Sequence, residues 1–270
     1  TIAAGDSVRG NVSSSSCLLW SDYNYVETRA ESWTLHAKKN TAYIVRLRHQ
    51  ADTNAFDNWA GDLVLYGRNA QGDPQFETGW WNDFGVANGN GGYNEEMMLA
   101  TDRDQTWSIR VEAASTSDTG HYTLSVESCP LHPITPAAGA TGINVATGCT
   151  SLTFQSDTTR IAFFSYAGDT SSTFHVTSTR TAGAAYQYGE ITGPDNDVSN
   201  WTDFSYSTSF AGDTVMNSPN YTPNAIGRQT LWVGVNADSA ATISVALTST
   251  PIPAPRSFTS TPRPHRRGTR

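Results

Sequence analysis

Runs of five to seven residues in which apolar side chains fall at every second position recur along this chain. Ala42-Tyr43-Ile44-Val45-Arg46-Leu47, Thr106-Trp107-Ser108-Ile109-Arg110-Val111, Tyr122-Thr123-Leu124-Ser125-Val126 and Thr242-Ile243-Ser244-Val245-Ala246-Leu247 all show it, between clusters of Gly, Asn, Asp and Ser. A period of two puts alternate side chains on opposite faces of an extended strand, so each run buries one face and leaves the other to hydroxyls. Helical spacing is almost absent. The chain is expected to be all-β, two tandem antiparallel β-sandwich (jelly-roll-like) domains, a division that its 270 residues accommodate.

The two halves repeat each other. Gln105-Thr106-Trp107-Ser108-Ile109-Arg110-Val111 answers Gln229-Thr230-Leu231-Trp232-Val233-Gly234-Val235, a period of about 125 residues. Near the starts, Gly10-Asn11-Val12 running to Cys17 parallels Gly142-Ile143-Asn144-Val145 running to Cys149. The expected division is a first sandwich at 1–129, a stiff proline linker at 130–136, a diverged second sandwich at 137–250 and a basic tail at 251–270. The tail is rich in Pro, Thr and Arg and has too few apolar residues to offset its ordering entropy, so it is expected to be disordered.

Charge and composition exclude several classes. Only 16% of residues are charged, and the net charge of -8 includes five arginines in the tail, so the body before it is more acidic still. An acidic body is the wrong footprint for a nucleic acid. No window approaches the run of apolar residues that a membrane helix needs. Three cysteines and two lysines, with no initiating Met, suit a secreted protein at the cell surface or beyond, its signal peptide removed.

The first half resembles the bacterial pre-peptidase C-terminal domain. The resemblance is carried by Gly5-Asp6-Ser7-Val8-Arg9-Gly10, Glu31-Ser32-Trp33-Thr34-Leu35, Tyr43-Ile44-Val45-Arg46-Leu47 and Gly61-Asp62-Leu63-Val64-Leu65-Tyr66. It continues through the acidic loop Asn82-Asp83-Phe84-Gly85 to Asn94-Glu95-Glu96, then Trp107 to Val111 and Gly120-His121-Tyr122-Thr123-Leu124. The second half lacks the acidic loop and the Gly-x-Tyr-Thr ending. The resemblance implies a non-catalytic sandwich used for attachment, substrate binding or assembly.

Three cysteines allow one intramolecular disulfide and three pairings. Cys17 with Cys129 is the expected pair, because the two flank one sandwich and would tie its first strand to its last. Closing a loop of that length contributes about 4.7 kcal/mol in the loop-entropy account. Cys149 would then be a buried thiol or a bridge between protomers.

Asp57, Asp62, Asp83, Asn94 and Glu95 gather hard oxygen donors in expected loops of the first half. Ca²⁺ takes such ligands, though the same residues are ordinary turn formers, and no cofactor is required by anything else in the chain. Trp59, Trp80, Trp81 and Trp201 stand in polar, loop-like contexts. Flat rings there serve as a core lid, a protein anchor or a platform for sugars. Nucleophile elbows, zinc motifs, P-loops and paired Cys-x-x-Cys are all missing, so no catalytic residue is expected. Two functions remain open: a structural or adhesive protein that self-associates into a surface layer or filament, and an accessory module that binds an extracellular glycan or matrix protein.

Overall fold

The computed structural model describes residues 1–21, 26–50, 63–68, 74–76, 86–87, 92–101, 103–113, 119–136, 141–144, 148–151, 159–182, 186–192, 202–207, 215–217, 220, 222–223, 227–236 and 242–253. All regular structure among the described residues is β. Among the described residues no helix is long and apolar enough to cross a membrane.

The first half contains β1 (Ser7–Val12), β2 (Cys17–Trp20), β3 (Glu27–Ala37), β4 (Thr41–Gln50), β5 (Leu63–Arg68), β6 (Pro74–Phe76), β7 (Val86–Ala87), β8 (Gly92–Thr101), β9 (Gln105–Ala113) and β10 (Gly120–Pro133). They form a front sheet in the order β2-β3-β9-β5-β6 and a back sheet in which β10 pairs with β1 and β4, followed by β8 and β7. The second half contains β11 (Thr141–Asn144), β12 (Cys149–Ser151), β13 (Thr159–Gly168), β14 (Ser172–Ala182), β15 (Tyr186–Thr192), β16 (Thr202–Ser207), β17 (Val215–Asn217), β18 (Gly227–Asn236) and β19 (Thr242–Pro251). Here β12-β13-β18-β15-β16 lie in one sheet and β11-β19-β14-β17 in the other. This is the strand order of the first half, except that β7 has no counterpart among the described residues.

The alternation read in the sequence gives each sandwich its interior. Leu35, Val45, Leu47, Leu65, Leu99, Trp107, Ile109, Val111 and Leu124 are buried together between the first pair of sheets. Phe164, Tyr166, Phe174, Val176, Leu231, Ile243, Val245 and Leu247 fill the second. Each such side chain contributes on the order of 1.5–3 kcal/mol by leaving water.

Gly10, Glu31, Trp33 and Tyr122, four of the residues that carry the first-half resemblance, meet at one place. Gly10 pairs with Tyr122 across β1 and β10. A Cβ at Gly10 would strike the Tyr122 phenol and the Glu31 carboxylate, so only glycine fits there. The Tyr122 hydroxyl donates to Glu31 Oε2 at 2.5 Å and accepts from Trp33 Nε1 at 2.7 Å. Burial, and next the bond to Glu31, raise the phenol pKa above its ordinary value. Gly5 supplies a left-handed turn, with φ of 91°, ahead of β1.

The expected linker is absent over its first four residues. Residues 130–133 are the end of β10, which pairs with β4 up to Pro130 and Thr41 and then runs parallel to β13 through Leu131–Phe163, His132–Phe164 and Pro133–Ser165. A proline lacks the donor that a ladder needs, and here Pro130 stands where the strand changes partner. The back sheet of the first half thereby continues into the β13 sheet, giving one ten-stranded sheet shared by both sandwiches. Residues 254–270, most of the expected tail, lie outside the described residues.

Candidate functional site at the junction of the halves

Alternation along β10 decides what its end can touch. Tyr122, Leu124 and Val126 face the first core, so Glu127, Cys129 and Leu131 face the opposite side of the sheet. On that side Ala42, Ile44, Met98, Ala100 and Cys129 from the first half are buried against Cys149, Ile161 and Phe163 from the second, with Leu131 packed alongside. This third apolar cluster belongs to neither sandwich alone.

A disulfide fixes it. Cys129 is bonded to Cys149, with the two Cα atoms 5.8 Å apart, and Cys17 is the free and exposed cysteine. The expected Cys17–Cys129 pair is thus overturned. Cys17 sits opposite Ala30, on the outer face of the front sheet, whereas Cys129 is on the outer face of the back sheet. Stacked sheets lie about 10 Å apart, and side chains on their two outer faces point away from each other, so a disulfide cannot span them.

Charges close the rim of the cluster. Arg46 on β4 donates from Nε to Glu96 Oε1 at 2.8 Å and pairs through Nη2 with Glu127 Oε2 at 2.7 Å. The same Nη2 donates to the Thr150 carbonyl across the junction, and Arg160 donates to the Thr150 hydroxyl. Glu96 is buried, so the guanidinium both neutralises a desolvated carboxylate and holds the second half. His132 lies 6.0 Å from the Phe164 ring, centroid to centroid, and burial lowers its pKa.

The other residues picked from the sequence fall elsewhere. Asp57, Asp62, Asp83, Trp59, Trp80, Trp81 and Trp201 lie outside the described residues. Asn94 and Glu95, expected in a loop, are instead in β8. Glu95 is buried, and its Oε2 accepts the Leu65 N–H at 3.0 Å, which ties back sheet to front sheet. Its carboxylate therefore has a structural task. No group of three or more metal-ligating side chains occurs among the described residues.

The sequence reading missed Arg46, Glu127 and Thr150, and it placed Glu96 in the acidic loop where the structure has it in β8. It also passed over Leu18, Trp20 and Val26, which are exposed at 49%, 54% and 43% on and just after β2. Matching the halves by their core residues would have found part of this. Val126 then stands against Leu247, and Ser128-Cys129-Pro130-Leu131 against Ser249-Thr250-Pro251-Ile252. On the facing side, Thr28-Arg29-Ala30 stands against Thr159-Arg160-Ile161.

No family model matches the chain, and no curated protein matches it. Among solved structures it is similar to the pre-peptidase C-terminal domain of a collagenase from Bacillus anthracis, at 12% identity and a TM-score of 0.29, over 44% of this chain and 94% of that one. It is also similar to the CBM22-1-CBM22-2 tandem domain of Xyn10C from Paenibacillus barcinonensis, at 11% identity and a TM-score of 0.25, over 92% of each chain. The human MASP-1/3 CUB1-EGF-CUB2 structure matches at 6% identity and a TM-score of 0.23, over 90% of this chain and 99% of that one. These scores are low, and the assignment of the fold as paired β-sandwiches rests on the strand pairing itself.

Proposed function

We propose that the chain is a non-catalytic extracellular structural or adhesive protein that assembles with copies of itself into a filament or surface layer. One observation carries the reading. The two halves are joined by a sandwich-on-sandwich contact made of a shared sheet, an apolar cluster and a disulfide, and the outer ends of the molecule repeat the strands that make it. A contact between two unlike surfaces propagates into an open filament when its rotation does not close. The disulfide supports an oxidising, extracellular setting. The lack of catalytic signatures in the sequence supports a mechanical role.

The test is negative-stain electron microscopy of the purified chain across concentrations, with sedimentation to count protomers. Regular filaments or sheets, and a sedimentation coefficient that rises with concentration, are expected. A monomer at every concentration overturns the reading and leaves binding of an extracellular glycan or matrix protein.

A further inference from the structure

The outer face of the front sheet is closed at one end and open at the other. Across β3, β9 and β5 its rows run Ala30–Glu112–Val64, then Ser32–Arg110–Tyr66, then Thr34–Ser108–Arg68, with His36–Thr106 beyond the end of β5. Alternation puts all of these on the side away from the first core, which takes Leu35, Leu65, Trp107, Ile109 and Val111. Ala30, Glu112, Val64 and Tyr66 are buried, whereas Ser32, His36 and Thr106 are exposed. Arg110 and Arg68 stand where the closed part meets the open part, and both are half-buried.

The two guanidinium groups are held in place. Each has its Cζ 5.7 Å from the centroid of the buried Tyr66 ring, a contact that the planar, delocalised charge of arginine favours. Arg110 also pairs through Nη1 with the buried Glu112 Oε1 at 3.6 Å and donates to the Trp20 carbonyl at 3.4 Å. Side chains pinned in this way have less ordering entropy to lose when a ligand arrives. The open positions beside them are Ser32, Thr34, Ser108, Thr106 and His36, which are hydroxyls and one imidazole with no carboxylate, and His36 Nδ1 is 3.3 Å from Thr106 Oγ1. In a chain of net charge -8 this is a local reversal of sign. Charges more than about 8 Å away are largely screened at physiological salt, so the strip and not the net charge governs what touches it.

The geometry points to a binding strip for an acidic polysaccharide, with a ring carboxylate or sulfate ester on Arg68 and Arg110 and the neighbouring sugar hydroxyls on Ser32, Thr34 and Ser108. Guanidinium forks match such oxyanions with paired, charge-assisted hydrogen bonds. Hydroxyl side chains at every second residue, about 6.5 Å apart along a strand, offer donors and acceptors to a polymer that is itself lined with hydroxyls. A protein partner fits less well. Among the described residues the large exposed apolar side chains are Leu18, Trp20, Val26, Val215 and Ile252, and none of them is on the strip, which therefore lacks the anchors that carry protein interfaces. The inference goes beyond self-assembly and stands whether or not copies associate.

Biolayer interferometry of the full chain against immobilised polygalacturonate, dextran sulfate and unmodified dextran, at physiological salt, tests the strip. The chain is expected to bind one or both acidic polymers and not dextran. Binding to polygalacturonate alone assigns the carboxylate, and binding to dextran sulfate alone assigns the sulfate ester. Ser32→Glu sets a carboxylate beside Arg110 at an exposed position and should weaken binding by about tenfold or more with the melting temperature unchanged. Arg68→Gln removes one guanidinium while leaving Arg110 on Glu112, and should weaken it likewise. No binding to either acidic polymer, or equal binding to dextran, overturns the proposal. Binding that S32E and R68Q both leave unchanged also overturns it, and places the contact on the five arginines of residues 251–270. Filaments without polymer binding sink the strip alone, whereas polymer binding by a chain that stays monomeric sinks the self-assembly reading alone.

Discussion

The same strand edge meets different solvents in the two halves. On β13 the outer face carries Ile161 and Phe163, buried at 1% exposure each, while the corresponding face of β3 carries Ala30, also buried, and the exposed Ser32. On β4 the outer face carries Ala42 and Ile44, buried, while β14 has Thr173 and His175, half-buried. Inner faces are apolar in both sandwiches, because each must fill its own core. Outer faces diverge at Ser32, Thr173 and His175, which lack the apolar cover that the junction gives Phe163, Ala42 and Ile44. Repeat proteins cap their ends in this way, with polar outer faces on terminal units. The difference teaches that one fold is used twice, and that outer-face composition decides which boundary is permanent.

The sharpest way to break the comparison is to exchange its two extremes. Phe163→Ala empties a filled site in the junction cluster and should cost about 3–5 kcal/mol in a urea unfolding experiment. Ser32→Ala, at the same repeat position on an exposed face, should stay within about 0.5 kcal/mol. Equal effects at the two positions would show that the third cluster is not a core.

Arg46 is the next largest. Arg46→Met leaves the buried Glu96 without its guanidinium partner, and breaking a pair of this kind costs about 3 kcal/mol or more. Thr177 occupies the corresponding place on β14 and makes a neutral hydroxyl bond to Asn217 Oδ1 at 2.9 Å. Thr177→Val should cost no more than about 1 kcal/mol. The contrast is measured by denaturant midpoints of the two variants against the parent.

Cysteine chemistry gives a third test. Cys129 and Cys149 are 20 residues apart in sequence, and opening that loop with Cys149→Ser should lower stability by about 2–3 kcal/mol. Cys17→Ser, at the matching position of the first half, should leave the melt of dilute protein unchanged. A destabilisation by C17S as large as that by C149S would mean that β2 is as deeply committed as β12.

Much of this architecture was legible in the residues. Period-two runs located β4, β9, β10 and β19, and the Gln105 and Gln229 runs marked β9 and β18, the same central strand of each half. Proximity to a domain boundary favours Cys17 with Cys129, but side-chain direction along β10 decides the pair. Cys129 is an odd number of residues from Val126, so it had to face away from the first core. The prolines at 130 and 133 read as a linker because a proline interrupts a ladder, yet a strand that changes partners tolerates one at the exchange. Arg46, Glu96 and Thr150 come together only through folding of the ten-stranded sheet, and no local pattern records that. The calcium reading treated Asn94 and Glu95 as turn residues, although Glu95 and Glu96 precede the Met97-Met98-Leu99 run that continues their strand.

The smallest effect concerns protons at the junction. His132 lies at the end of β10 that both sandwiches share, and burial lowers its pKa below the ordinary value of about 6.5. The unfolded chain therefore binds a proton at a higher pH than the folded one. Stability contributed by neutral His132 is fully present above about pH 6.5 and falls as the pH drops through and below that value. His132→Gln should flatten this part of the stability profile, seen as a smaller loss of Tm on acidification than in the parent. If His132→Gln leaves the slope as it was, the acid sensitivity belongs to the fold as a whole and the junction holds no special share of it.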